Sequence, residues 1–272
     1  MTGYMDTSLE GDRGLVKTGW FEHGTSRIYY EEAGTGDPLL LLPGGFGSIE
    51  EFSALRVVLV SEGYRVITAD LPGSGRSLPQ PRAYTASYYE DDARSFTALL
   101  QHLGVGQTHL MGFSDGGEVS LLIAATTTGI ARSVVTWGAS GTLSDPEGQM
   151  REVLYNIIDH PIPSFQPFSQ HLIATYGEAN ARAMTQNLVA AFNDIIAAGG
   201  DIILSKANSI VCPVLLITGA HDFLASPALV SELAARIPSA DMLTVEDAEH
   251  EPLHQTRTEW LAQILFDWLK QH

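Results

Sequence analysis

Leu39-Leu40-Leu41-Leu42 and Val214-Leu215-Leu216-Ile217 are runs without polar alternation, and a strand of that kind must be covered on both faces. Five further β-rich runs, at 26–32, 64–69, 108–112, 133–137 and 242–245, punctuate the chain. Between them lie segments whose apolar residues recur at three and four, at 53–62, 87–103, 116–127, 227–237 and 252–271. Strands alternating with helices predict an α/β fold with a mostly parallel central sheet flanked by helices. The alternation lapses over 140–205, where helical stretches at 149–158 and 179–198 occur without clear strands. We read residues 1–139 and 206–272 as the core and 140–205 as a helical cap inserted over it.

At 272 residues and 44% hydrophobic content, the chain has ample material for one buried core. Fifteen Lys and Arg stand against 32 Asp and Glu, a net charge of −17. Such a surface repels phosphate backbones and anionic bilayers, so neither nucleic acid nor membrane is an expected partner. The lone Cys212 forms no intrachain disulfide, and no Cys/His spacing suits a structural zinc. Residues 1–12 are polar and acidic, unlike a secretory signal, and no stretch of about 18 apolar residues follows. A cytoplasmic protein is expected.

Gly112-Phe113-Ser114-Asp115-Gly116 fits G-x-S-x-G between a strand-like run and a helix-like one, the setting in which a serine sits on a sharp turn with its hydroxyl exposed. Small residues at Gly112 and Gly116 let such a turn close. Downstream, one apolar strand runs into Gly219-Ala220-His221-Asp222 and another into Glu246-Asp247-Ala248-Glu249-His250. Residues just past the carboxyl ends of parallel strands converge on one crevice, so Ser114, Asp222 and His250 can meet there. A serine hydroxyl is a poor nucleophile until an imidazole takes its proton, and a carboxylate orients and supports that imidazole. Asp247 is the rival acid, because it shares a loop with His250. Two donors must also face a developing oxyanion. The Asp115 backbone N–H is one; the other comes from Pro43-Gly44-Gly45-Phe46-Gly47, with Gly45 first and Phe46 second.

His250-Glu251-Pro252-Leu253-His254 also satisfies H-E-x-x-H, a zinc pattern when both histidines share a helical face. Pro252 belongs in a first turn, which places His250 before the helix, and no third ligand is indicated. No metal is expected. The glycines of Asp70-Leu71-Pro72-Gly73-Ser74-Gly75 lack a dinucleotide fingerprint, so no cofactor is expected either. Trp137, Phe165, Phe168, Tyr176 and Phe192 lie in or near the cap and suit an apolar pocket wall.

With these residues in place, the sequence resembles the α/β-hydrolase superfamily from about residue 19 to its end. Asp70-Leu71-Pro72-Gly73-Ser74-Gly75-Arg76-Ser77 and Gly219-Ala220-His221-Asp222-Phe223-Leu224 add to the likeness. Leu41-Leu42-Pro43-Gly44, Gly112-Phe113-Ser114-Asp115-Gly116-Gly117 and Val135-Thr136-Trp137-Gly138-Ala139 look like the biphenyl hydrolase-like, or valacyclovir hydrolase, branch. Pro43 stands where many superfamily members carry histidine. The resemblance implies a serine esterase acting through an acyl-enzyme on small carboxylic esters, α-amino-acid esters among them, with Asp115 binding the substrate ammonium group and Phe46 beside it. The alternative for Asp115 is a helix cap bonded to nearby backbone N–H groups. Alternatives for the whole chain are a carbon–carbon bond hydrolase or lyase of the same fold, or a hydrolase-fold receptor for a small molecule.

Overall fold

The computed structural model describes residues 16–272; the acidic stretch at 1–12 lies outside the described residues. In chain order come β1 (Lys17–His23), β2 (Ser26–Ala33), β3 (Asp37–Leu42), α1 (Ser53–Ser61), β4 (Tyr64–Ala69) and α2 (Tyr88–His102). Next are β5 (Thr108–Phe113), α3 (Asp115–Thr126) and β6 (Ala131–Trp137), followed by α4 (Gln149–Asn156), α5 (Gln166–Tyr176) and α6 (Glu178–Ala197). The chain ends with β7 (Val214–Gly219), α7 (Pro227–Ala234), β8 (Ala240–Val245), α8 (Leu253–Thr256) and α9 (Thr258–Leu269).

The eight strands form one sheet in the order β1-β2-β4-β3-β5-β6-β7-β8. The β1–β2 and β2–β4 pairs are antiparallel; every pair from β4 to β8 is parallel. Successive side chains of a strand point to opposite faces, and the apolar runs divide accordingly. Leu40, Leu42, Leu110, Val134 and Leu216 join a core with Phe96 and Leu99 of α2, Leu122 of α3 and Leu233 of α7. Leu39, Leu41, Met111, Val135 and Leu215 pack on the other face against Leu55 and Leu59 of α1 and Leu261 and Leu265 of α9. A leucine so buried contributes about 1.5–3 kcal/mol relative to exposure, so unbroken apolar runs are what a sheet covered on both faces selects. Between β6 and β7, α5 and α6 bring Leu172, Met184, Leu188 and Phe192 into the first of these cores beside Phe46.

Three elements differ from the sequence reading. The edge strand β1 was not anticipated, and its alternating exposed and half-buried residues explain why. The helix α5 also went unread. The single helix expected over 252–271 is two, because Arg257 takes φ −139° and ends α8 before α9 begins. The Arg257 guanidinium is drawn to Glu251 and Asp247, 2.9 and 2.8 Å away. The β3 strand pairs with β4 on one side and β5 on the other. The order in which strands are added to the sheet therefore reverses between β3 and β5, and at such a point a crevice opens at the carboxyl ends of the strands.

Candidate functional site

Ser114 is the single residue between β5 and α3, and its backbone takes φ 49°, ψ −120°. A side chain at positive φ is strained, and surrounding bonds must hold it there. Its N–H donates to Trp137 O at 2.9 Å, and its carbonyl accepts from Gly117 and Glu118 N–H at 2.8 and 3.0 Å. The α3 helix descends so closely onto the end of β3 that a Cβ at Gly116 would lie 2.4 Å from the carbonyl oxygens of Leu42 and Pro43.

Asp222 follows β7 and His250 follows β8; the histidine reaches the serine and the aspartate reaches the histidine. His250 Nε2 lies 3.1 Å from Ser114 Oγ, and His250 Nδ1 lies 2.8 Å from Asp222 Oδ2. The other carboxylate oxygen, Asp222 Oδ1, accepts from Leu224 and Ala225 N–H at 2.8 and 2.7 Å. A carboxylate only accepts, so Nδ1 carries the imidazole proton and bare Nε2 faces the serine hydroxyl. This tautomer can withdraw the hydroxyl proton. Asp247, the rival acid, has a side chain 79% exposed and pairs with Arg257. The two histidines of H-E-x-x-H have separate partners: His254 Nδ1 accepts from Trp137 Nε1–H at 3.2 Å and its Nε2 faces Glu51.

The first helical turn of α3 presents the Asp115 N–H at its positive end. Across the crevice, the turn after β3 is closed by Gly47 N–H donating to Gly44 O at 3.0 Å, with Phe46 at φ 63°. The Tyr176 hydroxyl grips this turn by donating to Phe46 O at 2.8 Å while accepting from Gly75 N–H at 2.8 Å. Gly45, Phe46, Ser114, Asp115 and His250 line one cavity of about 480 Å³. Its far wall is apolar, with Met150, Leu154, Phe165, Phe168, Leu188 and Phe192. Trp137 instead lies beneath the site, buried at the end of β6.

The Asp115 side chain is buried and faces the same cavity. Its Oδ1 accepts from the Tyr89 hydroxyl at 2.8 Å. Burial raises its pKa above the ordinary carboxylate value, with the Tyr89 hydroxyl and the Arg82 charge pulling the other way. Arg82 is committed elsewhere, at 2.6 Å from Asp92. Among the described residues, no lysine or arginine forms an ion pair with Asp115.

A sequence model described as the alpha/beta hydrolase fold matches residues 37–159. The human protein named Serine hydrolase BPHL is 32% identical over 133 residues, 48% of this chain and 46% of that protein. The chain thus spans about half the length of that relative. The mouse protein of the same name is 24% identical over 89% of this chain and 83% of its own. An enol-lactonase from Burkholderia xenovorans LB400, known as a crystal structure, superposes with a TM-score of 0.72 at 19% identity. That superposition covers 93% of this chain and all of the lactonase chain, which speaks for the fold alone. The chain has the α/β-hydrolase fold and is similar in sequence to members of that superfamily. Within it, the likeness is to the biphenyl hydrolase-like branch.

Several residues of this site were not picked out from the sequence. Tyr89 was not singled out, and Tyr176, expected in the pocket wall, is not among the residues lining the cavity; only folding shows that their hydroxyls meet Asp115 and Phe46 O. Glu118, one turn beyond Asp115 on α3, is buried and accepts from Ser140 and Gly141 N–H at 2.8 and 2.9 Å. Burial raises its pKa to about 7 against those two donors. Its spacing from Asp115 was the available signal, since residues three apart share a helix face. Asp70 binds the backbone of its turn, accepting from Ile49 N–H at 2.8 Å and Arg76 N–H at 2.7 Å. No helix among the described residues is long and apolar enough to cross a membrane.

Proposed function

We propose that this hydrolase is a cofactor-independent serine esterase that cleaves small carboxylic esters, α-amino-acid esters in particular, in the cytoplasm. The supporting observation is the continuous line from Asp222 through His250 to Ser114 at the edge of the cavity. In this reading Ser114 Oγ attacks the ester carbonyl as His250 Nε2 takes its proton. Asp222 holds the ring in the required tautomer and stabilises the imidazolium that forms. The Asp115 N–H and that of Gly45, with Phe46 as the second choice, hold the tetrahedral oxyanion. His250 then protonates the departing alcohol, leaving an acyl-serine. Water, deprotonated by the same imidazole, attacks the acyl carbon and releases the carboxylic acid. The insertion at 140–205 serves as the cap over the acyl group, and its apolar wall suits a hydrocarbon side chain.

Selectivity in this reading comes from Asp115. A buried carboxylate without a cation gains from an ammonium group brought to it, because the pair offsets the desolvation of both charges. The hydroxyl that Asp115 accepts belongs to Tyr89, a side chain, so the geometry favours the ammonium reading over backbone capping.

A fluorophosphonate probe is expected to label the wild type and to leave Ser114→Ala unlabelled; equal labelling of the two overturns the nucleophile. On a panel of α-amino esters, their N-acetylated counterparts and simple acyl esters, Asp115→Asn should lose roughly 100-fold in kcat/KM on the free amines. It should lose under about tenfold on the blocked compounds. Equal losses reject the ammonium role. Product analysis that finds carbon–carbon cleavage in place of alcohol release would move the enzyme to the alternative reaction class.

A further inference from the structure

The second histidine of the 250–254 run sits beside the site and is taken up by no step of the mechanism above. His254 is completely buried. Its ring lies against Phe52, Phe113 and Trp137, with centroids 4.3, 5.5 and 5.6 Å away. An imidazole in such surroundings must satisfy both nitrogens or lose their hydration without return. Indole N–H only donates, so the bond from Trp137 Nε1 makes His254 Nδ1 an acceptor and puts the ring proton on Nε2. That proton points to Glu51 Oε2, 3.4 Å away. The remaining Glu51 oxygen, Oε1, accepts from Ser48 N–H at 3.1 Å. Glu51 N–H in turn donates to Ser48 O at 3.1 Å, so carboxylate and backbone close a box around Ser48.

Three distant parts of the chain are joined in this way: the end of β6, the helix α8 and the turn after β3. The Glu51 carboxylate lies so close over that turn that a Cβ at Gly47 would come within 2.8 Å of Oε1. Gly47 is bonded to Gly44, and between them lie Gly45 and Phe46. Phe113 carries the contact further, since its ring faces His250 at 5.2 Å as well as His254.

We propose that His254 and Glu51 are a positioning pair, a strut from Trp137 to Ser48 that fixes the 44–48 turn so that its N–H donors meet the oxyanion. The proposal rests on the esterase reading and adds two residues to it, neither touching the reacting atoms. Burial lowers the His254 pKa, against the opposing pull of Glu51, which keeps the ring in the neutral form the strut requires. The second histidine of an apparent zinc motif thereby has a role as a hydrogen-bonded spacer.

The test uses the full chain and a chromogenic ester, with three variants. His254→Met fills the space without either bond. His254→Gln keeps an oxygen for the indole and an amide donor for Glu51. Glu51→Gln leaves one acceptor oxygen for two donors, so its NH2 must oppose either the ring proton or the Ser48 N–H. His254→Met should lower kcat roughly 10- to 100-fold, less than removing an oxyanion donor outright, with KM within about twofold. His254→Gln should recover most of kcat. A boronic acid, whose adduct with Ser114 copies the tetrahedral oxyanion, should lose affinity in step with kcat/KM. If His254→Met does not fold, Glu51→Gln carries the test, with the same fall in kcat. Unchanged kcat in Glu51→Gln, or equal kcat in His254→Met and His254→Gln, overturns the strut while the esterase reading stands. A wild type that neither turns over esters nor takes the fluorophosphonate label overturns both.

Discussion

His109 carries an ionisable ring into the buried start of β5, where its Nδ1 lies 2.8 Å from Ser133 Oγ. Burial lowers its pKa from 6.5 to about 4, with Arg132 adding to the effect and Asp37 opposing it. Folded chains thus keep the ring neutral at pH values where unfolded chains protonate it. As pH falls from about 6.5 toward 4, the unfolded state binds a proton that the native state refuses, and stability drops. Asp70 and Glu118, raised to about 7 by burial, act in the opposite sense. Their contribution is complete below the unfolded carboxylate pKa and fades as pH rises through 7. A His109→Asn comparison removes the common carboxylate part. Between pH 7 and 4.5 the wild type should lose about 2–3 kcal/mol more than the variant in urea denaturation. Parallel pH curves would show that the ring titrates normally. At this scale the sequence was informative where chemistry restricts the residue type. Ser114, Asp222 and His250 stand at strand ends, and a turn serine, an acid and an imidazole in that order have few other readings. Tyr89, Tyr176 and His254 act through contacts 26, 130 and 117 residues distant in sequence, which no local pattern carries.

Elements were legible in proportion to their burial. The β3 and β7 strands are buried almost throughout and so are written in leucine, isoleucine and valine. The β1 strand has no buried residue, and α5 buries only Ser169, Leu172 and Tyr176, so their composition is shaped little by packing. The elbow between β5 and α3 is the opposite extreme, because its glycines answer to distance and not to propensity. Gly106→Ala and Gly116→Ala make a matched pair. A Cβ at Gly106 would meet nothing within 4 Å, whereas at Gly116 it would press to 2.4 Å on two backbone carbonyls. Backbone cannot move aside as a flexible side chain does, so α3 must lift from β3. Gly116→Ala should cost about 3 kcal/mol or more, and Gly106→Ala should stay within about 0.5 kcal/mol. Matching denaturation midpoints for the two would mean that α3 can withdraw freely.

Across the whole molecule, 32 acidic against 15 basic side chains make a field that acts beyond any contact. Positively charged molecules are drawn toward such a surface, and those that reach the cavity meet Asp115. The two effects separate by range. Salt screens charges farther apart than about 10 Å at 0.1 M, while a buried pair in contact is screened much less. For a cationic amino ester, kcat/KM should fall several-fold as salt rises from about 0.02 to 0.5 M, and for its N-acetyl counterpart it should stay nearly constant. Asp115→Asn should lower the cationic rate at every salt concentration and leave most of the slope, because the slope belongs to the molecule's charge and the offset to one carboxylate. A wild-type slope equal for charged and blocked esters would show that the acidic surface guides nothing. A slope lost entirely in Asp115→Asn would place the attraction in the cavity alone.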